Sequence, residues 1–119
     1  MSETSLTSLR RGHLYWVRIP DEPGDKRRPA LVVSSDVRNR LANDVIVVPL
    51  STVLREAPTH VRLRAGEGGL RQPSMVKCEQ ITTLRRDRLL TRALGGTLSR
   101  VRMVEIEKAI LRAIGVPVE

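Results

Sequence analysis

Three cations, Lys26, Arg27 and Arg28, stand directly before Pro29, and behind the proline runs the uninterrupted apolar segment Ala30-Leu31-Val32-Val33. Proline fixes φ at about −65° and has no N–H to donate. It therefore belongs at the first residue or the free edge of a strand. The residue before a proline is pushed into extended backbone. Arg28 is thus predicted to present its guanidinium at a strand mouth, from main chain that cannot turn away. Taken by itself, the same junction is also what a solvated loop emptying into a core strand looks like.

A second run, Asp44-Val45-Ile46-Val47-Val48-Pro49-Leu50, is β-branched without alternation, the pattern of a strand covered on both faces. The other strands are predicted around these two. His13–Ile19 alternates as a strand with one wet face, with Trp16 read as barrel core rather than as a surface for stacking bases. The segment 20–26 is a loop with two prolines, a glycine and three acids. Asp36–Asn43 is a turn or one short helical turn, and Thr59–Arg64 alternates again. Ala65–Pro73, with Gly66, Gly68 and Gly69, reads as a flexible turn region. Ser74–Cys78 and Gln80–Leu84 read as a strand and its continuation, with a last short strand over Leu89–Leu94.

The period then changes. Val101, Met103, Val104, Ile106, Ile110, Leu111 and Ile114 recur at three- and four-residue steps, one face of a helix over Arg100–Ile114. Ser99 is placed as its N-cap and Gly115 as its C′ residue, with Pro117 just beyond. The expected class is mainly β (α+β): five to seven short strands in a strongly curved sheet or open barrel, closed by a C-terminal α-helix. A chain of 119 residues builds one such domain, here 10–119, behind a flexible N-terminal tail at 1–9.

Charge narrows the partner. There are 21 Lys and Arg against 13 Asp and Glu, a net charge of +8. That balance suits a polyanion, nucleic acid being the usual one, although solubility or an acidic protein partner would also account for it. With no Phe, one Tyr and one Trp, the chain cannot build the aromatic platform on which many single-strand binders stack bases. A grip on nucleic acid must come through phosphates, Arg planes and polar edges. The single cysteine, Cys78, excludes an internal disulfide and fits a reducing cytoplasm. The start of the chain lacks the apolar core of a signal peptide. No run approaches the roughly 20 apolar residues of a membrane span.

Few residues can carry chemistry. His13, His60 and Cys78 make no metal-ligand spacing. Neither a nucleophile elbow nor a phosphate-cradling glycine loop is present. The remaining candidates sit at strand ends: Arg28, Ser51 and Thr52, and Lys77 with Glu79. The last two are two residues apart, so on a continuous strand they share a face. A surface ion pair beside a structural Cys78 is the plainer account of them.

The ordered combination of these pieces resembles a known family. Gly12-x-x-Tyr15-Trp16-Val17, a short charged loop, Arg28-Pro29-Ala30-Leu31-Val32-Val33-Ser34 and Val47-Val48-Pro49-Leu50-Ser51 are similar to the first blocks of the MazF/PemK/Kid toxins. Val76-Lys77-Cys78-Glu79-Gln80-Ile81 resembles their second block. The resemblance implies an SH3-like barrel, a homodimer, and sequence-specific cleavage of single-stranded RNA without a metal or other cofactor. It also implies neutralisation by a cognate antitoxin, an acidic chain that folds on binding, and a cytoplasmic location.

Carried over residue by residue, Arg28 matches the arginine that stabilises phosphate. Ser51 stands where most members have threonine, with Thr52 able to share or take that role. Lys77 replaces an arginine, and Glu79 replaces an aspartate used as general base. Lys26, Arg27, Thr52 and Gln80 are candidates for RNA contacts, and Arg27 competes with Arg28 for the clamp. The implied reaction is internal transesterification. Glu79 would take the proton of the 2′-OH if burial raises its pKa. Arg28 would fork onto non-bridging oxygens, Ser51 would hydrogen-bond the phosphate, and Lys77 would stabilise charge or deliver a proton. Two other classes fit the same outline: a non-catalytic nucleic-acid-binding barrel, and a gyrase-inhibiting toxin like CcdB. The Arg28-Pro29 junction followed by Pro49-x-Ser51 argues against the latter.

Overall fold

The computed structural model describes residues 9–18 and 26–119. Most of the expected tail and of the 20–26 loop lies outside the described residues; Leu9, at the end of that tail, is buried. Among the described residues are strands β1 (Leu14–Arg18), β2 (Arg27–Val32), β3 (Asp44–Ser51), β4 (His60–Leu63), β5 (Ser74–Lys77) and β6 (Thr82–Arg85). A short helix α1 (Asp36–Leu41) joins β2 to β3, and α2 (Arg100–Ala113) ends the chain. The strands form one curved antiparallel sheet in the order β1-β2-β3-β5-β4, with β6 on the other half of β3. The expected β class with a C-terminal helix is the one observed, but among the described residues the ladder does not close into a barrel.

β3 is the spine. Its first half pairs with β6 (Asp44↔Arg85 to Val47↔Thr82), its middle with β2 and its last residues with β5 (Leu50↔Val76, Ser51↔Met75). Both of its faces are covered, which is why its sequence does not alternate. Val48 and Leu50 face a core shared with Leu14, Leu31, Leu63, Val76 and Ile106 of α2. Val45 and Val47 face a second core with Tyr15, Val17, Ala30, Val32 and Leu84. Burying each of the Val, Leu and Ile side chains among these contributes about 1.5–3 kcal/mol.

Two prolines decide where the sheet opens. The β2–β3 ladder runs from Val32↔Val47 to Ala30↔Pro49 and stops there. Pro49 has no N–H with which to extend it, and Pro29 on the facing strand has none either. Beyond that pair, β3 turns away to β5, while Arg27, Arg28 and Pro29 remain paired on the β1 side alone (Arg18↔Arg27, Val17↔Arg28, Trp16↔Pro29). Pro29 is thus the third residue of its strand, not the first, and the free edge it needs is the one facing the gap.

The other departures from expectation are local. Leu89–Leu94 forms a single bridge, Val17↔Leu89, rather than a strand. Beyond that bridge its backbone donates to the β1 side at Trp16 O (from Leu90 N, 3.0 Å) and Leu14 O (from Leu94 N, 2.9 Å). The continuation after Ser74–Cys78 is broken by a 3₁₀ turn, Cys78–Gln80. α2 starts and stops as predicted. The Ser99 side chain accepts from Arg102 N at 3.1 Å, and Gly115 takes φ 88°, left-handed backbone that a Cβ would penalise.

Candidate active site

The gap left where β2 and β3 part is a cleft of about 720 Å³. Trp16, Pro29, Leu50, Leu70 and Leu94 give it an apolar floor, and Lys26, Arg27, Arg28, Ser51, Thr52, Arg71, Gln72 and Ser74 give it polar walls. The three acids of the 20–26 loop, Asp21, Glu22 and Asp25, lie outside the described residues; among the described residues, four cations and no carboxylate line it. That asymmetry makes it a place for an anion, because confined like charges focus the field.

Each wall has a structural cause. Arg28 is fixed by strand pairing to Val17 and by the proline after it. Ser51 is the last residue of β3, and its Oγ accepts from Val53 N at 3.1 Å. That bond turns the chain out of the strand and leaves the hydroxyl hydrogen to donate. Arg71 and Gln72 arrive, themselves exposed, on the 65–73 segment, which is anchored by the buried Gly68 and Leu70 and through Glu67 rather than being the flexible turn expected of it. Its Glu67 accepts from Arg102 Nε at 2.8 Å, from Arg102 Nη2 at 3.1 Å and from Arg64 N at 2.7 Å. Glu67 consequently titrates below its ordinary carboxylate value, with the Arg102 hydrogen bonds as the main cause.

Five of the eight residues expected at the site therefore meet in one cleft: Arg28, Ser51, Lys26, Arg27 and Thr52. Lys77, Glu79 and Gln80 do not line it. Lys77 ends β5 opposite His60, and the 3₁₀ turn that follows carries Glu79 out of the strand, so the two do not share a strand face. Glu79 accepts from Thr59 Oγ1 at 2.9 Å and lies 3.0 Å from His60 Nε2. The other ring nitrogen of His60 is 2.7 Å from the carbonyl of Arg55. Partial desolvation pushes the Glu79 pKa up, but hydrogen bonds from His60, its own backbone and Thr59 outweigh it, and the net shift is downward. The raised pKa on which a base role for Glu79 was conditional is absent.

Sequence reasoning missed three residues. Trp16, expected in the core, is 40 % exposed and lines the cleft. Its position two residues before Arg18 on an alternating strand was the available signal, since the two share a face. Arg71 and Gln72 gave no signal, because their nearness to Arg28 arises only from the fold. Among the described residues no three His, Cys, Asp or Glu side chains gather to hold a metal ion, and no helix is long and apolar enough to cross a membrane.

Comparison with known proteins places this arrangement. Residues 10–114 match the family described as PemK-like, MazF-like toxin of type II toxin-antitoxin system. Endoribonuclease EndoA of Bacillus subtilis is 31% identical over 86 residues, covering 68% of this chain and 74% of that protein. Endoribonuclease MazF of Staphylococcus epidermidis is 29% identical over 112 residues, 90% of this chain and 92% of that one. Among solved structures, Mycobacterium tuberculosis toxin MazF-mt6 superposes with a TM-score of 0.77 at 27% identity, covering 89% of this chain and 99% of that one. A mycobacterial endoribonuclease in complex with its cognate antitoxin gives 0.76 at 32% identity, covering 92% and 98%.

Proposed function

Because the chain belongs to the PemK-like, MazF-like toxins of type II toxin–antitoxin systems, we propose that it is an endoribonuclease whose cleft between β2 and β3 holds the scissile phosphate of single-stranded RNA. The observation that carries this reading is the meeting of Arg28 with Ser51 in a cleft that, among the described residues, is lined by Lys26, Arg27, Arg28 and Arg71.

The chemistry is internal transesterification. The 2′-hydroxyl gives up its proton to water as its oxygen attacks the adjacent phosphorus. The bond to the 5′-oxygen breaks as that oxygen takes a proton from water, and the products are a 2′,3′-cyclic phosphate and a 5′-hydroxyl. Charge on the non-bridging oxygens grows on the way to the pentavalent state. Arg28, rigid on its strand, meets it with a planar fork, and the Ser51 hydroxyl donates to the same phosphate. Lys26, Arg27 and Thr52 hold the flanking backbone. The dependence on a 2′-OH makes RNA the substrate and DNA an inert ligand. Glu79 is assigned no proton transfer, since its carboxylate is engaged with His60 and Thr59.

A cognate antitoxin neutralises the enzyme, an acidic chain complementary to the cationic cleft. The working unit is a cytoplasmic homodimer. Incubation with mixed-sequence single-stranded RNA in EDTA tests the reading. Discrete fragments with 5′-hydroxyl ends are expected, and RNA left intact at high protein concentration overturns it.

A further inference from the structure

An exposed tryptophan is ordinary by itself. Trp16 is held in a way that a chance surface residue is not. Its backbone is paired with Pro29 on one side, and on the other its carbonyl accepts from Leu90 N at 3.0 Å. The strand face it occupies begins in the core at Leu14, so the indole stands where that core opens into the cleft. Pro29, Leu50, Leu70 and Leu94 line the same cleft as apolar neighbours, and Lys26, Arg27, Arg28 and Arg71 line it as cations. An exposed indole with apolar and cationic neighbours in one cleft matches a nucleobase attached to its phosphate, and a base stacked on an aromatic ring gains about 1–3 kcal/mol.

We propose that Trp16 is a base-stacking subsite of the cleft, and that Gln72 and Arg71 read the edge of the base lying on it. This rests on the reading of the cleft as an RNA site. The protein has a single tryptophan, so its emission reports this subsite alone. The ring belongs to a base rather than to a protein partner because the cations beside it would hold the phosphates on either side of that base. Gln72 supplies both a donor and an acceptor for a base edge, and its backbone carbonyl accepts from Ser74 Oγ at 3.2 Å at the start of β5. Recognition is thereby assigned to β1 and to this segment.

The test follows the emission of the wild-type protein during titration with a mixed-sequence 2′-deoxy strand, which lacks the attacking hydroxyl. The control is an abasic strand with the same number of phosphates. Quenching by the first and not by the second is expected. In cleavage assays Trp16→Ala raises KM on the order of tenfold with a smaller change in kcat, Trp16→Phe restores most of the loss, and Gln72→Ala changes which sequence is cut. Equal responses to the two strands overturn the proposal, as does Trp16→Ala cutting with an unchanged KM. So does quenching by an acidic peptide where the deoxy strand gives none. If the wild type cuts no RNA, the endoribonuclease reading fails, and the emission titration still decides on stacking.

Discussion

Glu79 Oε2 lies 3.0 Å from His60 Nε2, across the paired ends of β4 and β5, and neither residue lines the cleft that holds Arg28 and Ser51. The only carboxylate of the expected catalytic set is thus bound to a histidine on its own side of the sheet. In this chain the cleft with Arg28 and Ser51 and the acidic residue are separate structures, and substitutions test them separately.

Arg28→Ala should reduce cleavage on the order of a hundredfold or more, with the melting temperature nearly unchanged. Arg28→Lys should recover little, because an ammonium cannot fork onto two oxygens. Single-turnover rates on one RNA check both variants. A rate within threefold of wild type for Arg28→Ala would move the clamp to Arg27.

Ser51 and Thr52 are adjacent but not equivalent. Ser51→Ala removes both the hydroxyl offered to phosphate and the acceptor for Val53 N. A loss of roughly 10- to 100-fold in kcat/KM is expected, against only a few-fold for Thr52→Ala. Reversal of that order would transfer the phosphate contact to Thr52.

Glu79→Gln should leave cleavage within about tenfold of wild type, since general-base groups typically contribute 10²–10⁴-fold and this one is placed elsewhere. A larger loss would restore Glu79 as the base. Its effect should appear in stability instead. A carboxyl whose folded pKa lies below its ordinary 4.5 stabilises the fold fully above that value, and the contribution fades as pH falls through the lower folded value. Melting temperatures of wild type and Glu79→Gln should therefore differ at neutral pH and converge in acid.

The polar core offers a stability test away from the cleft. Asn39 is fully buried; its Nδ2 donates to Ser34 O at 3.0 Å and its Oδ1 accepts from Ser34 Oγ at 2.5 Å. Ser34 Oγ in turn accepts from Ile46 N at 3.0 Å. Asn39→Leu strands these groups and should cost about 2–3 kcal/mol, a fall in Tm on the order of 10 °C. Thermal unfolding measures it, and a shift under 2 °C would mean water replaces the amide.

Gly69 has φ +91°, and a Cβ there would sit 2.4 Å from the backbone of Leu94. Gly66 has φ +97° with open space around it. Gly66→Ala should cost only the left-handed strain, about 1–2 kcal/mol. Gly69→Ala adds a clash that displaces Arg71 and Gln72, so it should lose more stability and also raise KM. Equal effects from the two variants on both measures would separate the 65–73 segment from RNA binding.

The sequence by itself determined most of the strands (not the one expected over Leu89–Leu94), the terminal helix with its Ser99 cap and Gly115 stop, the Arg28-Pro29 junction and the family, because periodicity, propensity and proline restrictions act within a few residues. It also determined the net charge that makes a polyanion the natural partner. Only the tertiary structure decided which cations share a cleft, since that cleft exists where Pro29 and Pro49 end one ladder and β3 leaves for β5. It decided that Trp16 faces the cleft rather than the core, and it brought in Arg71 and Gln72 from more than forty residues beyond Arg28. It placed Glu79 apart, because one 3₁₀ turn at Cys78–Gln80 breaks the alternation that a continuous strand would have kept. Local physics writes the elements into the sequence, whereas the company each side chain keeps depends on register and on where pairing stops.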